Sequence, residues 1–122
     1  MPRSTFRSLS FPSHDRGGWG LVPFEHAMCR KAQVVPNHTS CKDIWNGSAL
    51  LIDIGAWVND KDLNVERGII DYKHAAKLLT DLYEDETYRK KVADDCYRVT
   101  QNPQYRWEAV AEGFAKAMEV LK

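Results

Sequence analysis

The sequence predicts an α/β fold, a short parallel sheet with helices on both faces and a helical C-terminal half. Three observations predict it. A glycine loop, Asp15-Arg16-Gly17-Gly18-Trp19-Gly20, stands between a strand-like stretch and a helix-forming one. The run Ala49-Leu50-Leu51-Ile52-Asp53-Ile54 is nearly continuously apolar, as in a strand covered on both faces. From Asp71 onward, apolar residues recur at intervals of three and four, the period of amphipathic helices.

Taken in order, the segment Phe6 to Phe11 alternates loosely between apolar and polar residues and stops at Pro12-Ser13, which predicts a short strand. The glycines that follow permit backbone conformations that other residues avoid. Pro23 suits a first helical turn, so a helix is expected from about Pro23 to Arg30 or Lys31, its basic end complementing the dipole. Gln33-Val34-Val35 reads as a buried strand before the loop Pro36-Asn37. Thr39 or Ser40 is the expected cap of a short helix, Cys41 to Trp45, stopped by Asn46-Gly47. The strand Ala49 to Ile54 comes next, then a polar loop from Gly55 to Gly68 holding Trp57, Leu63 and Val65. Asp71 caps a helix with the stripe Ala75, Leu78, Leu79 and Leu82. A second helix carries Tyr88, Val92, Cys96 and Val99 and ends before Pro103, and a third carries Trp107, Val110, Ala111, Phe114, Met118 and Leu121. The spacing in the last helix requires an apolar surface beneath it.

Composition narrows the function classes. The 122 residues carry 17 Lys and Arg against 17 Asp and Glu, and a nucleic-acid binder needs surplus cations to neutralise phosphates. No apolar run approaches the roughly 20 residues of a membrane span. The basic start Met1-Pro2-Arg3 lacks the apolar stretch of a signal peptide. Three cysteines, an odd number, suit a reducing cytoplasm better than a disulfide framework.

Open α/β sheets bind ligands outside the carboxyl ends of their strands, where the glycine loop falls. A glycine loop opening onto a helix N-terminus offers backbone N–H groups and a positive dipole end, which suits a phosphate. Gly18, Trp19, Gly20 and Leu21 are the residues placed to supply those amides. The loop has neither the P-loop Gly-Lys-Ser/Thr nor the dinucleotide fingerprint, whose last glycine is replaced by Pro23. Glu25 is expected within the first helical turn, either as charge compensation for the dipole or as an acceptor for vicinal hydroxyls such as those of a ribose.

The stretch Gly18-Trp19-Gly20-Leu21-Val22-Pro23-Phe24-Glu25-His26-Ala27-Met28 resembles the donor-site motif of the family-four retaining glycosyltransferases of GT-B fold. In that family a Glu-Gly-Phe-Gly-Leu loop leads into a Glu-Ala-Met helix. The similarity continues in order from about Leu9 to the C-terminus, through Gln33-Val34-Val35, Ser40-Cys41-Lys42-Asp43-Ile44, Gly47 to Asp53, Asp71 to Asp85, and Tyr105-Arg106-Trp107-Glu108.

The resemblance implies that residues 1–122 form part of a C-terminal, Rossmann-like nucleotide-sugar-binding domain, its start over residues 1–8 undefined. The activity implied is retaining transfer of a hexose from a nucleotide-diphospho-sugar. Glu25 would hold the ribose hydroxyls, and the amides of Gly18, Trp19, Gly20 and Leu21 the donor sugar and phosphate. No catalytic side chain is assigned within the chain, and neither metal nor cofactor is implied. The family's usual first glutamate, eight positions before Glu25, is here Gly17. The phosphate-neutralising Arg and Lys and the acceptor domain lie upstream in the family, so the chain alone is expected to be inactive. Residues 103–122 would form a helix packed on that N-terminal domain.

Two other functions compete. His26-x2-Cys29 and His38-x2-Cys41 have the spacing of zinc ligands and suggest a small zinc-stabilised binding module, although eight residues including a core strand separate the pairs. Gly17 suggests a module that binds nucleotide without catalysis. The sequons at Asn37 and Asn46 lack a secretory context, and Asn46-Gly47 serves as a helix stop. His74 is expected on the surface.

Overall fold

The computed structural model describes residues 9–10, 20–62 and 64–122. Among them the chain forms β1 (Leu9–Ser10), α1 (Leu21–Met28), β2 (Gln33–Pro36), α2 (Thr39–Trp45), β3 (Leu50–Ile52), β4 (Ile54–Asp60) and β5 (Val65–Ile70). Three longer helices follow, α3 (Tyr72–Glu84), α4 (Glu86–Thr100) and α5 (Trp107–Val120), with a 3-10 turn at Pro103–Tyr105 between the last two. The α/β class and the helical C-terminal half are as expected.

β1, β2 and β3 lie side by side in that order, all parallel, with Ser10 opposite Val34 and Val34 opposite Leu50. Parallel neighbours need a crossover, which α1 and α2 supply. All four residues of β2 are buried, and since successive side chains point to opposite faces, both faces of this central strand are covered. Val34, Val35 and Ile52 form the core with Ala27 of α1, Trp45 of α2, Leu82 of α3 and Cys96 of α4. Trp45 and Leu82 are 1% and 0% exposed, and burying side chains of this size contributes about 2–3 kcal/mol each.

Several boundaries differ from those the sequence suggests. Of the strand placed at Phe6 to Phe11, only Leu9–Ser10 falls within the described residues. The strand expected from Ala49 to Ile54 is interrupted at Asp53, where β3 ends at Ile52 and β4 begins at Ile54. There the Asp53 N–H donates to His74 Nδ1 at 3.0 Å and the Asp53 carbonyl accepts from the Asp71 N–H at 2.8 Å. These bonds end β3 and start β4.

The polar loop expected from Gly55 to Gly68 is instead a β-hairpin. β4 and β5 pair antiparallel from Ile54↔Ile70 to Asp60↔Val65, with a register shift between Ile54 and Ala56. The shift breaks the alternation by which a strand is recognised. Asn64, at φ 51°, takes the left-handed conformation that the tight reversal needs.

The helical half follows its pattern more closely. The Asp71 side chain caps α3, accepting from the N–H groups of Lys73 and His74, and Asp85 caps α4 by accepting from Tyr88. Ala75 and Leu82 of α3 are buried and Leu78 and Leu79 pack against the core, as do Val92, Cys96, Tyr88 and Val99 of α4. Neither Thr39 nor Ser40 caps α2: the cap position is His38, whose side chain makes no capping bond. α5 buries none of its residues, and Trp107, Phe114 and Leu121 are 85%, 68% and 85% exposed. Its regular apolar stripe has no covering surface among the described residues.

Candidate functional site

The β1–α1–β2 unit places the start of α1 at the carboxyl end of the sheet, where ligands of open α/β folds bind. Gly18 and Trp19 lie outside the described residues, as does Gly17. Gly20 is the N-cap of α1 with φ 78° and ψ 67°, a left-handed backbone that a Cβ would strain. The helix starts at Leu21, two residues before Pro23, and Pro23 is buried at its third position. A proline is tolerated there because the first N–H groups of a helix have no intrahelical acceptor anyway. Phe24 is the first to close a bond to the Gly20 carbonyl, at 3.4 Å.

This earlier start corrects the place of Glu25. It is the fifth helical residue, so it stands in the second turn and not the first. Dipole compensation fades beyond the first turn, which weakens the purely electrostatic explanation of this carboxylate. The Glu25 side chain is exposed and borders an open groove of about 660 Å³, within the size range of small-molecule sites. Leu21, Phe24 and Met28 form one wall of the groove, and Tyr105, Arg106 and Trp107 the other. The walls are joined by an edge-on contact of Phe24 with Tyr105, ring centres 5.4 Å apart, and Phe24 also tilts against buried Trp45 at 6.2 Å. Of the expected site residues the structure thus brings Leu21 and Glu25 to one groove, with Gly20 just before it. It adds Arg106 and Trp107, which the sequence marks only as the opening of the last helix.

A second group lies at the carboxyl ends of β2 and β3. Asn37 extends the ladder, its N–H donating to the Ile52 carbonyl at 2.8 Å, while its buried Oδ1 has no hydrogen-bond partner among the described residues. The ring of His38 meets Trp57 of the hairpin edge-on, centres 5.1 Å apart. His74 is half-buried and linked to Asp53, in contrast to the surface position expected for it. Its Nδ1 lies 3.0 Å from the Asp53 N–H, which it accepts, and 3.3 Å from the Asp53 carboxylate. Trp57 and Asp53 escape sequence reasoning because one was placed in a loop and the other inside a strand.

The two His-x2-Cys pairs are not drawn together. His26 Nδ1 is 2.8 Å from Nε2 of Gln33, a residue with no exposed surface whose Nε2 also donates to the Lys31 carbonyl. Cys29 is exposed, and burial pushes the Cys41 thiol above its usual range. Burial likewise raises the Cys96 thiol to about 11. Among the described residues no three His, Cys, Asp or Glu side chains form a group able to hold a metal ion, and no helix is long and apolar enough to cross a membrane. No family model matches the chain, and no curated protein matches it significantly.

Proposed function

We propose that the chain binds a nucleoside diphosphate sugar and serves retaining transfer of the hexose, in the manner of the GT-B glycosyltransferases that its sequence resembles. The Glu25 carboxylate accepts hydrogen bonds from the two ribose hydroxyls. The amides of Gly18 to Leu21 serve as donors to the phosphates and donor sugar. The observation that supports this best is the β1–α1–β2 unit, with left-handed Gly20 at the helix start and Glu25 exposed one turn later beside a groove. Oriented amides stabilise the charge of a departing phosphate without reorganising, so a net charge of zero is compatible with the role. The free thiols Cys29, Cys41 and Cys96 fit a reducing, cytoplasmic compartment.

The reading is tested by following amide resonances during titration with UDP-glucose, ADP-glucose and GDP-mannose. Shifts at Gly18 to Glu25 with at least one donor are expected. Their absence with all of these donors contradicts it.

A further inference from the structure

Along α5, Trp107, Phe114 and Leu121 recur every seven residues, with Ala111 and Met118 four positions after the first two, the spacing of a coiled-coil seam. No residue of the helix is buried, and Trp107, Phe114, Met118 and Leu121 each leave at least two-thirds of their surface open. A helix of 14 residues is marginal in water by itself, so this one needs its stripe covered. Large apolar side chains carry about 150–250 Å² each, so these four expose about 500–700 Å². A stable dimer takes about 600–1,000 Å² from each partner, and exposed Val110 and Ala111 extend the stripe into that range. The charges beside the stripe favour a second copy of the same helix. At 3.6 residues per turn, Glu108 and Lys122 border it along one side, one at each end, with Glu112, Lys116 and Glu119 further round. An antiparallel pair centred on Phe114 and Ala115 sets Trp107 against the partner's Leu121 and Glu108 against the partner's Lys122, twice by symmetry. A parallel pair would set Glu108 beside Glu108 and Lys122 beside Lys122, and would align the two helix dipoles. A membrane surface is a poorer match, because interfacial helices carry Lys and Arg on their polar face and three of the four charges within α5 are Glu.

We propose that the apolar stripe of α5 is a dimer interface, covered by α5 of a second copy of this chain running antiparallel. The same patch serves both partners, so the contact closes on itself and assembly stops at two. Trp107 and Glu108 also line the groove that Glu25 borders, which puts the end of the partner's helix at the rim of that groove. The pairing is independent of what the groove binds.

Sedimentation equilibrium of the full chain at micromolar concentrations tests the pairing. The expected mass is twice the 14.0 kDa of one chain. Phe114→Glu enters the interface twice and raises the Kd of the dimer about a hundredfold, while the thermal transition of the core is retained. Glu108→Lys and Lys122→Glu each weaken the dimer about three- to tenfold, and the two together restore it, because opposite charges meet again. Lys116→Glu, on the far side of the helix, leaves the Kd unchanged. A monomer at every concentration overturns the proposal, and if that monomer binds phosphatidylglycerol vesicles the face belongs to a lipid surface instead. A dimer that survives Phe114→Glu overturns it too, as do oligomers that grow without limit. A double charge reversal that binds no better than the single ones overturns the antiparallel arrangement.

Discussion

Replacing Asp71 with alanine tests how α3 is anchored to the ligand edge of the sheet. One carboxylate oxygen of Asp71 accepts from Lys73 N at 3.0 Å and His74 N at 3.2 Å, satisfying two of the donors a helix start leaves open. Removing a side-chain cap costs about 0.5–2 kcal/mol, and the double bond puts this site in the upper half of that range, about 1–2 kcal/mol. For a domain of this size the loss corresponds to a fall in Tm of about 4–8 °C, read by circular dichroism. Asp71→Asn keeps an accepting oxygen and gives up only the charge–dipole part, about 0.3–1 kcal/mol. Asp85 accepts from a single N–H, that of Tyr88, so Asp85→Ala is the milder change. His74 links the same turn to Asp53, so hydrogen exchange at Lys73, His74 and Asp53 rises in Asp71→Ala. A Tm within about 1 °C of the parent, or an asparagine variant no better than alanine, refutes the capping argument.

Two further perturbations probe the core and its titration. Leu82→Ala empties a fully buried position shared by α3 and the sheet and lowers the urea-unfolding free energy by about 2–5 kcal/mol with an unchanged slope, whereas a cost below about 1 kcal/mol contradicts its placement. Burial raises the Cys96 thiol from 9.0 to about 11, so the folded state holds this proton more tightly than the unfolded chain does. Its contribution is complete below the unfolded value and is lost as pH rises from about 9 to about 11, and in Cys96→Ala that part of the alkaline decline disappears.

What the sequence discloses depends on whether local pattern and tertiary environment agree. In α3 and α4 they do: Asp71 offers a cap, and Ala75, Leu78, Leu79 and Leu82 form the stripe that the core then covers. Gln33-Val34-Val35 is recognisable because a buried central strand needs no alternation. The hairpin is not, since a register shift near Gly55 and a polar turn around Asn64 erase the period of two. The break at Asp53 also escapes notice, because His74 and Asp71, some twenty residues away, make the bonds that end the strand there. At the site, Pro23 reads as the first residue of α1 but is its third, which moves Glu25 from the first turn into the second. The groove between α1 and Arg106–Trp107 joins segments some eighty positions apart, which no local spacing encodes.

The role of Glu25 is tested most directly by a double-mutant cycle on the ribose contact. Nucleoside diphosphate sugars with an intact ribose and with a 2′,3′-dideoxyribose are titrated calorimetrically into the parent chain and into Glu25→Ala. Two hydrogen bonds to a carboxylate are worth about 1.5–3 kcal/mol each in favourable settings, and at the exposed position of Glu25 a combined loss of about 1.5–3 kcal/mol, tenfold or more in affinity, is expected. The alanine variant should then bind both ligands equally, so that nearly the whole loss appears as coupling between carboxylate and hydroxyls. If the two changes add independently, or if the parent chain does not distinguish the two ligands, Glu25 does not hold a ribose.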